Sequence, residues 1–178
     1  MNVLSRVLHA AYNEAVKPKT FVRGDEFECF LRREVFPAAR YDILRKTHGY
    51  TVNKDDFVES TKEPDFLFRD RASGREFYVE AKYRSGFYRQ GVDWCKEYQL
   101  QRYRALDRET PVLVAVGVGG TASRPDSLYL FPVRGITYTR LFPRLLQRFE
   151  IHHGCVASGL LRQLLTENEP ETAVPAMA

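Results

Sequence analysis

Asp65, Glu80 and Lys82 are the residues whose types and spacing point most directly to chemistry. They belong to two short segments, residues 63–68 and 76–82. Both are rich in Phe, Tyr and Val at a period of two, the pattern of half-buried strands. Between them Arg69-Asp70-Arg71-Ala72-Ser73-Gly74-Arg75 is a run of turn formers. The simplest reading is a β-hairpin. Pairing Arg69 with Glu76 sets Asp65 opposite Glu80, and side-chain alternation puts Asp65, Glu80 and Lys82 on one face. Phe66, Phe68, Phe77, Val79 and Ala81 fall on the other, an apolar wall suited to a core. Two carboxylates facing each other at a backbone separation of about 5 Å repel unless a cation lies between them. Hard divalent ions take one or two carboxylates together with waters and phosphate oxygens. A neighbouring lysine can orient an attacking water or offset charge on a phosphate. The competing reading is a surface hairpin with solvated charges. The uniformly apolar opposite face, and Pro64 at the strand start where proline is tolerated, favour a site.

The elements that must hold these residues follow from periodicity. Residues 3–16 read as an amphipathic helix ended by Lys17-Pro18-Lys19. A second helix spans 24–36, before Pro37, with Phe27, Phe30, Leu31 and Val35 at helical spacing and Glu28 at the edge of that stripe. A third, short helix covers 38–47. Gly49 breaks it, and Tyr50-Thr51-Val52 starts an extended segment. After the hairpin, residues 83–91 form a mobile loop, basic and aromatic, with Gly86 and Gly91. Such loops suit nucleic acid through phosphate pairing and base stacking, the bland alternative being a solvated connector.

The next helix, 92–106, aligns Val92, Cys95, Gln99, Tyr103 and Leu106, so that Gln99 is an amide in an apolar stripe and needs partners. Gln101 faces solvent. Residues 111–118 are continuously apolar, as in a strand buried on both faces. Strand, helix and strand then imply a right-handed parallel crossover. Residues 127–133 form a further strand, an edge because of Pro132. Residues 138–151 form a last amphipathic helix, whole or broken at Pro143, and 158–166 a short one. His152 and His153 point to different sides of any regular structure and are not read as ligands. Cys29 and Cys95 are read as packing residues.

Pro64-Asp65 followed by Glu80-Ala81-Lys82 resembles the PD-(D/E)xK motif of the restriction-endonuclease-like nuclease superfamily. Gly24-Asp25-Glu26-Phe27-Glu28 resembles the G-x-x-F-E of the first core helix there, and Gly49-Tyr50 the G-Y that closes that region. Gln99 and Tyr103 resemble the Q-x-x-x-Y element of its exonuclease-type members. The resemblance covers roughly residues 24–133. It implies an α/β fold with a three-layer core, a short mixed β-sheet flanked by helices. It also implies a metal-dependent nuclease that hydrolyses phosphodiester bonds, in DNA before RNA. Asp65 and Glu80 would hold Mg²⁺ or Mn²⁺ with the carbonyl of Ala81. Glu28 would be a further carboxylate, and Glu26 replaces it if the register slips by one. Lys82 would orient the attacking water, while Gln99 and Tyr103 help hold substrate. Arg84, Arg89 and Arg102 are candidates for phosphate contacts. The alternative function is a non-catalytic nucleic-acid-binding or interaction module on the same fold. An intact acidic pair argues against it, since carboxylates without metal repel phosphate.

Composition agrees with this frame. The chain has 178 residues, enough for one domain over 1–166 with a single good core, followed by a disordered acidic tail over 167–178. Net charge is +4, and the three glutamates of that tail mask a basic body suited to a polyanion. Three scattered cysteines make neither a disulfide framework nor a zinc site, so a reducing cytoplasm is expected. No apolar run is long enough for a membrane span, and no secretory signal is evident at the N-terminus. A homodimer is expected where one site per subunit must cut two strands.

Overall fold

The computed structural model describes residues 19–47 and 63–166. In chain order these form helix α1 (Lys19–Phe30), continued by a π-helical turn (Leu31–Val35), and strands β1 (Tyr41–Lys46), β2 (Phe66–Asp70), β3 (Glu76–Arg84) and β4 (Val92–Asp93). Helix α2 (Glu97–Asp107) leads to strands β5 (Val112–Val118), β6 (Ser127–Pro132) and β7 (Arg140–Leu141). The short helix α3 (Pro143–Leu146), strand β8 (Glu150–Ile151) and helix α4 (Ser158–Thr166) complete the order.

The Phe-rich hairpin has the register that its alternation requires. Phe66 lies opposite Val79, Phe68 opposite Phe77 and Arg69 opposite Glu76. This hairpin belongs to a six-stranded sheet of order β1-β2-β3-β5-β6-β8. All neighbours are antiparallel except β3 and β5, which are parallel and joined by the α2 crossover. β4 and β7 form a separate two-stranded sheet. The mixed sheet therefore sits between two helical layers, the three-layer arrangement expected from the sequence.

Each face of the sheet has its own core. Phe66, Phe68, Phe77 and Val79 pack under Phe27, Phe30, Leu31 and Val35 of the first helix and under Leu161, Leu164 and Leu165 of α4. Ala81 is partly buried against the same cluster. The other face carries Tyr78, Val112, Val114, Val116 and Phe131 against Leu100 and Tyr103 of α2 and against Trp94. Every residue of β5 is buried, as its unbroken apolar run demands. Each fully buried Phe or Leu contributes about 1.5–3 kcal/mol, so the hairpin is fixed chiefly by its apolar side.

Five features differ from the sequence reading. Residues 38–47 are not a helix: 37–40 turn (the amide of Arg40 bonds the carbonyl of Pro37 at 2.9 Å) and Tyr41–Lys46 joins the sheet. Ala38-Ala39-Arg40 favours a helix locally, but pairing of β1 with β2 and burial of Tyr41 outweigh that small preference. Residues 138–151 are likewise not one helix but β7, the one-turn α3, a 3₁₀ turn and β8. Pro143 stands at the first turn of α3, where its missing N–H costs nothing. The helix expected over 92–106 begins only at Glu97, because Val92 and Asp93 pair with Leu141 and Arg140. β6 is not the edge expected from Pro132, since β8 pairs with its first half through Leu128 and Tyr129. The second helix starts earlier than Gly24, at Lys19. The helix expected over 3–16, Gly49 and the extended segment at Tyr50, and the tail over 167–178 lie outside the described residues.

Candidate active site

β2 ends where β3 continues, and that mismatch of length makes the site. Beyond Phe66, Asp65 no longer pairs as a strand residue, and its own carbonyl accepts the amide of Thr47 at 2.9 Å. Its carboxylate swings across to β3, where Oδ2 accepts the Ala81 amide at 2.8 Å. Odd-numbered residues of β3 direct their N–H and C=O toward β2, and even ones toward β5, as the bond from the Tyr78 amide to the Pro111 carbonyl fixes. The Ala81 carbonyl is therefore aimed at the same open strand end as the Asp65 carboxylate.

Glu80 and Lys82 project from the opposite face of β3, toward α2. Glu80 is 2% exposed and forms an ion pair with Lys82 through Oε1 and Nζ. The Tyr103 hydroxyl donates to the same carboxylate. Burial first, and the charge and hydrogen bond of Glu80 second, hold that hydroxyl well above its ordinary pKa. Burial works against the Lys82 ammonium, yet the charges of Glu80 and Asp65 outweigh it and raise its pKa. Asp65 bears the strain of the arrangement. Burial, then the charge of Glu80, push it up to about 8, and Lys82 and the Ala81 amide offset only part of this.

Glu28 reaches this strand end from α1, on the other side of the sheet. Its charge adds to the pressure on Asp65, and its Oε2 lies 2.9 Å from Lys46 Nζ. A register shift in β1 between Ile43 and Arg45 turns Lys46 inward toward Phe66 and Glu28. Glu26 is exposed. The helical carboxylate near the pair is thus Glu28.

No protein-family model and no curated protein sequence matches the chain. Among solved structures, the chain is similar to Hjc, a Holliday junction resolvase from the archaeal hyperthermophile Archaeoglobus fulgidus. The match has a TM-score of 0.51 at 15% identity and covers 71% of this chain and 93% of that one. The fold is restriction-endonuclease-like.

Within this restriction-endonuclease-like frame, the remaining candidates take different places. Gln99 is half-buried, and its Oε1 accepts the Lys96 amide at 3.0 Å. This is half of a capping box, since a lysine side chain has no acceptor to return the bond. Gln99 thereby fixes the start of α2. Tyr103, one turn on, is 2% exposed and touches Glu80. Arg84 is engaged by the protein itself, donating through Nε to the Asp93 carbonyl and through Nη1 to that of Tyr83, both at 2.9 Å. Arg102 lies 5.8 Å from the ring centroids of Tyr98 and of Tyr103. Arg89 is exposed, on a tight turn 88–91 in which it and Gln90 have positive φ angles of 46° and 61°. Such backbone costs roughly 1–3 kcal/mol per residue and persists only where neighbours hold it. Arg140 does so, donating to the carbonyls of Tyr88 and Arg89 and pairing with Asp93 Oδ2 at 2.7 Å.

Cys95 was read from the sequence only as a packing residue. It is half-buried at the start of α2, within electrostatic reach of Glu80 and Lys82, and burial pushes its thiol up to about 12. Its place depends on β4 pairing with β7, a distant contact with no local signature. His152 and His153 are both exposed, and the His153 ring packs edge-on against Phe30 at 5.6 Å. No helix among the described residues is long and apolar enough to cross a membrane.

Proposed function

We propose that this chain is a divalent-metal-dependent nuclease that hydrolyses phosphodiester bonds in DNA. The observation that carries the reading is the Asp65 carboxylate, held at the Ala81 amide of β3 within the field of buried Glu80. Two carboxylates are brought together in a poorly solvated place, where Asp65 is pushed up to about 8. Lys82 offsets only part of the repulsion between the two acids, which leaves a place where a further cation would be favourable. The donor set of Asp65, Glu80 and the Ala81 carbonyl is all oxygen, which suits Mg²⁺ or Mn²⁺. Glu28 would join it only by leaving Lys46. Bound there, the ion would lower the pKa of a coordinated water and offset negative charge on the scissile phosphate.

The chain's own residues then divide the work. Lys82 holds its ammonium at Glu80 and directs the attacking water while countering charge on the phosphate. Tyr103 acts as a positioning residue, fixing the Glu80 carboxylate through its hydroxyl. Gln99 fixes the first turn of α2 and with it the stretch that carries Cys95 toward the site. Of the three arginines, Arg89 is exposed while Arg84 and Arg102 are partly buried, so Arg89 is the best placed to meet a phosphate. Arg84 serves the fold. The similarity to a Holliday junction resolvase supports DNA as the substrate, with a second copy of the chain needed where two strands are cut.

Cleavage of plasmid and of labelled single- and double-stranded oligonucleotides, in Mg²⁺, Mn²⁺ or EDTA, tests this. Wild type should cut only with metal, and Lys82→Ala should lose the activity. Equal cutting by both would remove Lys82 from the mechanism, and cutting in EDTA would refute the metal.

A further inference from the structure

We propose that the surface built on β4, β7 and the first turn of α2 binds an unpaired nucleic-acid strand beside the catalytic pair, stacking its bases on Tyr88, Tyr98 and Tyr138. The proposal rests on the nuclease reading for what lies next to this surface. Eight large hydrophobic side chains are exposed among the described residues, and five of them, Phe87, Tyr88, Tyr98, Tyr138 and Phe142, fall here. Tyr138 and Tyr88 are the most exposed of all, at 69% and 65%. A soluble surface that gathers aromatic rings in one region marks an interaction site.

Contacts far apart in sequence draw these rings together. The Trp94 amide donates to the Thr139 carbonyl at 3.1 Å, and its indole Nε1 to the Tyr138 carbonyl at 2.9 Å. Arg140, on β7, reaches across to the carbonyls of Tyr88 and Arg89. Tyr98 lies in the first turn of α2, shortly after Trp94. The backbone that carries Tyr88 and Tyr138 is therefore gathered around β4 and β7, and Arg102, 5.8 Å from the ring centroids of both Tyr98 and Tyr103, links Tyr98 to the residue that bonds Glu80.

The occupant follows from chemistry. Bases in a duplex already stack on one another, so a protein ring finds its partner in an unpaired base. Exposed Arg89, Lys96 and Arg144 interleave the rings, as a phosphate backbone requires. The turn that presents Tyr88 is also preorganised. Gly91 lies so close to Arg140 that an added Cβ would stand 2.8 Å from Nε, and two residues hold positive φ beside it. A platform already rigid loses little freedom on binding.

The test is fluorescence titration in EDTA, so that binding is read without cleavage. The probes are a single-stranded oligonucleotide carrying a fluorescent purine analogue and a blunt duplex of the same sequence. Wild type should quench the analogue on binding. Tyr88→Ala and Tyr138→Ala should each weaken single-strand binding by about fivefold or more and leave duplex binding within about twofold, while Tyr88→Phe behaves as wild type. Unchanged single-strand binding in both alanine variants would overturn the proposal, as would equal losses on both probes. Cleavage by wild type in Mg²⁺ is scored in parallel. Cleavage without ring-dependent binding sinks this proposal alone, and ring-dependent binding without cleavage sinks the nuclease reading alone.

Discussion

The β2–β3 hairpin carries an aspartate at each end, buried at the turn and half-buried at the open end, and the two ends treat it differently. At the turn, Asp70 is 3% exposed and richly bonded. Its Oδ2 accepts from the Ser73 amide at 3.1 Å and from the Ser73 hydroxyl at 2.5 Å, and Oδ1 lies 3.4 Å from the Ala72 amide. These neutral donors close the turn and bring no second acid. At the open end, Asp65 has one amide, and Glu80 is set against it with Lys82 and Tyr103 as partners. Burial of an acid is therefore not the mark of a site. A buried acid served by neutral donors stabilises a fold, whereas two acids sharing one cationic side chain would be relieved by a further cation, as the proposed function requires.

Substitution should separate the two ends sharply. Glu80→Gln should lower cleavage by about 10³-fold or more in an oligonucleotide assay while far-ultraviolet circular dichroism stays unchanged. If the fold collapses with the activity, the open end is structural like the turn.

The next contrast is in pH. Burial and the charge of Glu80 push Asp65 from its ordinary 3.8 up to about 8 in the folded chain, so the folded state binds the extra proton between these values. Metal-free stability should therefore be full below the lower value and fall as pH rises through the upper one, by an amount of order a few kcal/mol. Urea melts across that window should show this slope in wild type and in Asp70→Asn but lose it in Asp65→Asn. The same slope in all three would place the titration elsewhere.

At the turn end, Asp70→Ala strips the Ser73 donors of their acceptor and should cost about 1–3 kcal/mol in the same melts. Its cleavage rate should stay within about twofold of wild type. Tyr103→Phe should lower kcat about tenfold, as loss of a carboxylate's outer partner does, and leave KM unchanged. A rise in KM instead would make Tyr103 a substrate contact.

The same contrast shows what the sequence could reveal. The apolar set Phe66, Phe68, Phe77 and Val79 permits only one register, since a shift of one residue would turn the wall to solvent. That register also aims Asp65 toward Glu80, so their proximity was legible in the sequence. Asp70 was not, because an aspartate in a turn looks alike whether solvated or capped by Ser73. Lys46 was hidden for another reason: its approach to Glu28 depends on the β1 register shift, and β1 itself reads locally as helix. The β4–β7 pairing was invisible as well. Val92 and Leu141 meet across a long separation, and a two-residue strand has no periodicity. Trp94, Cys95 and the exposed tyrosines took their meaning from that pairing.

Calorimetric titration of Mn²⁺ into wild type, Asp65→Asn and Asp70→Asn near pH 8 tests the central claim most directly. Wild type and Asp70→Asn should bind the ion alike, and Asp65→Asn should lose the binding heat. Undiminished binding by Asp65→Asn would contradict the account, because the strand end that joins Asp65 to Glu80 would then not be where the cation sits.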